Sequence, residues 1–400
     1  MKPNRFGIYI HIPYCLQICP YCDFAKFEIG KIPDPDHYTQ LLLSEIRQKH
    51  HLVPKNAITS VYFGGGTPSI LTAAQFQLII SELKRHFRNF GGGALGPESV
   101  PEITIEINPG NLDEKKLTTL LELGVNRFSV GSQTFDDKLL KDIGRKHSSK
   151  ETEETLGLLN KYDVNFSMDL LFALPNQTLE TLKRDIEESL RFSPKHVSTY
   201  YLNVPEKHSL SKDRPDDDTQ VKMFEVIDNT LEKYSLHRYE ISNYAKPGFE
   251  SKHNLLYWTD QPYWGIGLSS HSFLDQDKTD WGTRFWNPKS YEGYEKYIRE
   301  LANPNKVSAG LSPEQIEVLK KHQSMTEFCY TSLRKMSGLN IDDFEKKYSN
   351  IPKTLIHELS VLISKGLLHK EGTVYTLTKE GKILSNLVFE RLTFLKEDLY

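Results

Sequence analysis

Cysteine is scarce in this chain, with four among 400 residues. So small a set cannot make the disulfide framework that holds secreted miniature scaffolds together. Nowhere does an apolar run approach the roughly 20 residues that span a bilayer. The opening segment, MKPNRFGIYIHIPYC, is apolar over too short a stretch for a secretory signal. Charge of neither sign dominates: 50 basic and 53 acidic residues leave a formal net charge of −3. That balance argues against nucleic-acid binding through bulk electrostatics. Internal repeats and low-complexity segments are also missing, which excludes a solenoid. The composition, 38% hydrophobic and 26% charged, is that of an ordinary soluble globular protein, expected in the cytosol. Four hundred residues exceed what one core usually absorbs, so a large domain and a smaller one are expected.

What is present begins with alternation. Short β-rich runs, FGIYIHI (6–12), SVYF (60–63), EITIEI (102–107), RFSV (127–130), NFSMDLLF (165–172) and HVSTYYL (196–202), are separated by helical patterns. Those helices are expected over 37–50, near 72–88, from Asp113, and near 149–161 and 179–191. Six consecutive βα units imply a parallel sheet with right-handed crossovers, either doubly wound or barrel-like. After Tyr239 the texture changes, and residues 239–274 are rich in aromatics, Gly, Ser and Asn, as suits an irregular, shaped site. NPNKVSAGLSP (303–313) reads as a linker. The triple glycine of 91–99 follows a helix rather than a strand and reads as a loop, not a phosphate cradle. In 366–392 a β-hairpin followed by a helix suggests a small winged-helix-like domain.

Three of the four cysteines, Cys15, Cys19 and Cys22, fall within eight residues directly after the first strand. In a reducing compartment such a cluster points to metal or redox chemistry. Thiolates select zinc, copper(I) or iron–sulfur clusters. A structural zinc site wants four protein ligands. His11 could in principle be the fourth, but its place between Ile10 and Ile12 in a strand holds it away from the loop. A [4Fe–4S] cluster normally takes four cysteines, so three leave one iron open to a chelating small molecule. Cys329 stands alone and reads as a small buried hydrophobe.

C-x3-C-x2-C after a β-strand resembles the signature of the radical S-adenosylmethionine (SAM) enzymes. The resemblance implies that the SAM amino and carboxylate groups complete the fourth iron. In a barrel of this kind the site lies at the carboxyl ends of the strands. There the chain places Gly64, Gly65 and Gly66 of FGGGTPS, Glu106 of EINPG, Gln133 of SVGSQTF and Asp169 of MDLLFALP. Arg145, in IGRKH, offers a planar fork that suits a carboxylate.

From about Phe6 to its last helix the chain resembles the oxygen-independent coproporphyrinogen III oxidase family. The motifs that carry this are GIYIHIPYC, CPYCDF, FGGGTPS, EINPG, FSVGSQTF, GRKH, MDLLFALPNQT and YEISNYAKPG. The resemblance implies an α/β fold: a radical-SAM partial (β/α)6 TIM-like barrel over 1–238, an aromatic-rich extension over 239–302, and a C-terminal winged-helix-like domain over 303–400. It makes Tyr9, Tyr21, Gly66, Thr67, Glu106, Gln133, Arg145 and Asp169 contacts of SAM. The decarboxylases of the family continue the cysteine motif to C-x3-C-x2-C-x-C and carry a longer N-terminal segment. Here the added position is Phe24, and the first strand starts within a few residues. Both departures match the haem chaperone branch, HemW, whose H-N-x-x-Y-W motif occurs as HNLLYW (253–258). His253 and Tyr257 would share a helical face, and a neutral imidazole is a common haem ligand. His253 is therefore the expected haem ligand, with His271 as the second candidate. The expected function is a haem chaperone with a [4Fe–4S] cluster and SAM, passing haem to acceptor proteins. A flavodoxin- or ferredoxin-like reductant is the implied partner. The alternatives are radical chemistry on a tetrapyrrole and a zinc-stapled interaction module.

Overall fold

The computed structural model describes residues 5–54, 58–87, 100–274, 281–302 and 311–399. The loop expected at 91–99 and residues 303–310 of the expected linker lie outside them.

Six parallel strands form in the order of the chain. They are β1 (Phe6–Ile12), β2 (Ile58–Gly65), β3 (Glu102–Ile107), β4 (Arg127–Gln133), β5 (Phe166–Phe172) and β6 (His196–Tyr201). Two-residue periodicity sorts their side chains. Phe6, Ile8, Ile10 and Ile12 of β1, with Val61, Phe63, Ile103, Ile105, Phe128 and Val130, join the main apolar core. The alternate positions, such as Tyr9, Tyr62, Glu106, Ser129 and Asp169, are far more polar and face the opposite side of the sheet. One face of the six-stranded sheet is thus apolar and the other lined by polar groups.

The connecting helices are α1 (Pro35–Lys49), α2 (Ala73–His86), α3 (Glu114–Glu122), α4 (Asp137–Asp142), α5 (Ser149–Lys161), α6 (Leu179–Arg191) and α7 (Asp217–Lys233). Side chains of Asp34, Thr72, Asp113, Ser148, Thr178 and Asp216 each accept a backbone N–H in the first turn. Such a cap is worth about 1 kcal/mol and fixes where each helix begins.

Both edges of the six-stranded sheet are extended. On β6 lie the antiparallel strands β7 (His237–Glu240) and β8 (Asn243–Ala245). On β1 lies β9 (Tyr263–Ile266), parallel to it, followed outward by β10 (His271–Leu274), β11 (Thr283–Trp286) and β12 (Ile316–Val318). The full order is β12-β11-β10-β9-β1-β2-β3-β4-β5-β6-β8-β7, an open twelve-stranded sheet. Between β8 and β9 runs the short helix α8 (Lys252–Trp258), and after β11 comes α9 (Tyr291–Leu301).

The remaining residues gather around a second core that includes Met325, Cys329, Leu333, Phe344, Leu355 and Leu359. It is built from α10 (Lys321–Arg334), α11 (Ile341–Tyr348), α12 (Lys353–Ser364) and a three-stranded sheet. That sheet is β13 (Leu339–Asn340), β14 (Leu368–Glu371) and β15 (Val374–Leu377), with β15 in the middle. The β14–β15 hairpin falls inside the stretch where the sequence predicts one. Cys329 is fully buried here. Arg334 ties the two parts together through Glu240, at 2.7 Å. Among the described residues no helix is long and apolar enough to cross a membrane.

Candidate site at the carboxyl ends of the strands

The cysteine loop is shaped by its own backbone. Just past β1, Tyr14–Cys15 pairs in parallel with Phe27–Glu28, and Phe27 N–H donates to Pro13 O at 2.7 Å. His11 Nε2 donates to Ala25 O at 2.7 Å, while its Nδ1 accepts the Tyr9 hydroxyl at 3.1 Å. Burial holds that imidazole neutral, its pKa lowered to about 4. His11 therefore joins the start of the loop to its end and stays out of the thiol set. Cys22 N–H donates to Cys19 O at 3.2 Å, and Lys26 Nζ donates to Cys22 O. Cys15 is buried; Cys19 and Cys22 are half-buried. Burial raises the Cys15 thiol pKa, opposed by a contact from Thr67 Oγ1 at 3.8 Å.

All three cysteines line one cavity of about 590 Å3. Tyr21, Gly66 and Thr67 line it as well, and so do Glu106, Gln133, Arg145 and Asp169. Tyr9 does not; its ring lies against Tyr62, 6.2 Å between centroids. Three lining residues that the sequence did not single out are Tyr62, Asn108 and Ser129. Asn108 was within reach, being the second polar residue of EINPG, two after Glu106.

Glu106 accepts the Tyr62 hydroxyl at 2.8 Å and the Gly65 N–H at 3.2 Å. Burial nevertheless pushes its pKa up to about 7, with the Asp169 charge adding to the effect. Burial likewise raises Asp169, which accepts the Ser129 hydroxyl at 3.3 Å. Arg145 Nη2 donates to Asn108 Oδ1 at 2.8 Å and Gly131 O at 2.9 Å; Nη1 lies 4.0 Å from Cys19 Sγ. One face of the guanidinium is thus held by the protein beside the thiols. Gln133, at the strand end, has a φ of 66°, which turns the chain there.

Glycine is required at position 66, where a Cβ would lie 2.7 Å from Tyr14 O and 3.0 Å from Cys15 Sγ. The donor set fits the groups that the motif implies. Among the described residues no three or more His, Cys, Asp or Glu side chains are arranged around a single metal ion. A cubane takes one thiolate per iron, and three thiols on one cavity wall suit that distribution. Two acids, an amide and an arginine answer an ammonium, hydroxyls and a carboxylate.

Residues 9–188 match the Radical SAM superfamily. The heme chaperone HemW of Lactococcus lactis is 33% identical across the whole chain and 99% of that relative. The heme chaperone HemW of Bacillus subtilis is 34% identical over 95% of this chain and 97% of its own. The chain belongs to the heme chaperone HemW family. The fold has a solved counterpart in coproporphyrinogen III oxidase (HemN) of Escherichia coli, a radical SAM enzyme, with a TM-score of 0.78. That likeness covers 98% of this chain and 91% of that one at 19% identity, so it speaks for the fold alone.

In this HemW-family chain the HNLLYW segment forms α8, and His253 with Tyr257 shares a face, Nε2 to hydroxyl 2.9 Å. Nδ1 is bonded to Ser60 Oγ at 2.8 Å. The ring stacks on Tyr62 at 5.1 Å and is 1% exposed. Burial lowers its pKa to about 3, so it is neutral at pH 7. Gly7 is what lets α8 lie this close, since a Cβ there would come within 2.6 Å of Leu256. Both nitrogens of His253 are engaged, so iron ligation requires one of those bonds to be exchanged. His271 is exposed at the start of β10 and stacks on Trp286 at 5.5 Å.

Proposed function

We propose that the chain is a cytoplasmic haem chaperone that carries a [4Fe–4S] cluster on Cys15, Cys19 and Cys22 and SAM on the cavity rim. The observation that carries the cofactor reading is the single cavity that joins the three thiols to Glu106, Gln133, Arg145 and Asp169. Family membership along the full length carries the haem reading. Arg145 would face the SAM carboxylate, and Glu106 and Asp169 would face its ammonium and hydroxyls. Glu106 titrates near neutrality and becomes the better acceptor as a cation enters beside it. When bound, the reduced cluster supplies the electron for cleavage of SAM, which calls for an external reductant protein. Haem is cargo, passed on to an acceptor protein. His253 serves as its iron ligand after giving up the Tyr257 hydroxyl, which frees Nε2.

Phe24 stands where the decarboxylases have a further cysteine, and its ring is 66% exposed at the cavity mouth. The chaperone reading expects no conversion of coproporphyrinogen III to protoporphyrinogen IX by protein with cluster, SAM and reductant. The same preparation is expected to bind haem in an anaerobic optical titration. Turnover within about tenfold of a genuine decarboxylase run alongside would overturn this function. Failure to retain haem would overturn it equally.

A further inference from the structure

Asn108 stands where β3 gives way to a tight turn. Asn111 N–H donates to Asn108 O at 3.2 Å, and between them lie Pro109 and Gly110, the latter with a φ of 82°. Proline in the second place and a glycine of positive φ in the third are the marks of a type II turn. Asn108 N–H donates to Ser69 Oγ at 3.2 Å. The backbone is therefore pinned through both its N–H and its carbonyl, and the side chain lines the cavity.

The amide has only one orientation open to it. A guanidinium donates and never accepts, so the Asn108 oxygen must face Arg145 and the nitrogen must face the other way. Arg145 Nη2 donates to Asn108 Oδ1 at 2.8 Å, and Asn108 Nδ2 donates to Thr67 Oγ1 at 2.9 Å. Thr67 is buried. Its hydroxyl accepts from the amide, which leaves its one proton for Cys15 Sγ at 3.8 Å, its other partner. On the far side Arg145 brings Nη1 to 4.0 Å from Cys19 Sγ. Gly131 leaves room for the pair, since a Cβ there would lie 3.3 Å from Arg145 Nη2 and 3.5 Å from Asn108 Oδ1. One amide thus links the guanidinium to two of the three thiols. Hydrogen bonds to the sulfurs are among the things that set the potential of an iron–sulfur cluster.

We propose that Asn108 is a positioning residue that tunes the cluster and the SAM pocket together. Its oxygen orients the Arg145 fork, and its nitrogen aims the Thr67 hydroxyl at Cys15 Sγ. The proposal rests on the cofactor reading above. Its test is an EPR-monitored redox titration of the anaerobically reconstituted full chain, with SAM affinity measured on the same protein. Thr67→Val should make the midpoint potential more negative, by a three- to tenfold change in the one-electron reduction constant, or about 30–60 mV. Thr67→Ser, which keeps the hydroxyl, should return the wild-type potential. Asn108→Ala should shift the potential in the same direction and raise the SAM dissociation constant roughly tenfold. In that background Thr67→Val should move the potential far less than it does in the wild type, because both changes act on one hydrogen bond. If Asn108→Ala does not fold, Asn108→Asp keeps the shape but cannot donate, so the Thr67 proton turns to the new carboxylate. The potential should again fall and cease to respond to Thr67→Val. A wild-type potential in the folded Asn108 variant, or a full response to Thr67→Val in its background, would overturn the proposal and leave the cofactor reading in place. A wild type that takes up no cluster would overturn both.

Discussion

Between pH 7 and 5 the buried histidine of HNLLYW should show itself when the wild type is compared with a variant that cannot titrate there. His253 has a folded pKa of about 3, against about 6.5 in an unfolded chain. A depressed pKa means that its contribution to stability is complete above pH 6.5. It is lost as the pH falls from there toward 3, because only the unfolded chain takes up the proton. Between pH 7 and 5 that loss amounts to about 2 kcal/mol. His11, at about 4 when folded, loses a similar amount. Glu106 acts in the opposite sense. Its folded pKa of about 7 lies above the unfolded value, so protonation on acidification favours the folded state by about 2 kcal/mol over the same interval. Asp185, raised by burial to about 6, adds to that gain. His147, lowered by burial to about 4, and His196, lowered well below its ordinary value, act in the same sense as His253. The wild type should therefore lose stability on acidification, while single variants expose the opposing parts. His253→Gln can keep bonds to Ser60 and Tyr257 but cannot titrate. Urea unfolding at pH 7 and pH 5 should show it about 2 kcal/mol less acid-sensitive than the wild type. Glu106→Gln should be about 2 kcal/mol more acid-sensitive. Identical pH dependence in the wild type and His253→Gln would refute the burial argument and place His253 in contact with solvent.

Three further outcomes are open to measurement. Alanine at Cys15, Cys19 or Cys22 should each abolish the reconstituted [4Fe–4S] spectrum, whereas Cys329→Ala should leave it intact; stoichiometric zinc without acid-labile sulfide in the wild type would contradict this. Arg145→Ala should weaken SAM binding to cluster-loaded protein by roughly 10- to 150-fold, the equivalent of about 1.5–3 kcal/mol for a charge-assisted hydrogen bond. An unchanged dissociation constant would move the carboxylate contact elsewhere. Gly66→Ala should impair both cluster retention and SAM binding, because the added methyl meets Tyr14 O and Cys15 Sγ; normal loading of both would show that the loop gives way at little cost.

The strands and most helices were legible because their signals are local. EITIEI forms β3 over Glu102–Ile107, and helices occupy 149–161 and 179–191 as the patterns predict. β12 was not legible. Ile316–Val318 is three residues long and offers too little alternation to stand out beside the expected linker. The rim at the strand ends was legible because a parallel sheet with short connections brings one end of every strand together. Partners across the barrel were not. That His253 and Tyr257 share a helical face follows from four-residue spacing. That Ser60, 193 residues earlier, takes the other ring nitrogen could not be read from any local pattern. Tyr9 shows the same limit: the sequence places it on an interior strand, but only the fold reveals its hydroxyl on His11 instead of the cavity wall.

The ladder between Tyr14–Cys15 and Phe27–Glu28, closed by the His11–Ala25 hydrogen bond, bears on what holds the thiols in place. Many small metal-binding modules take their order from the metal itself. In this loop, hydrogen bonds of the chain tie both ends to the first strand, so the polypeptide shares the task of keeping Cys15, Cys19 and Cys22 on one wall of the cavity.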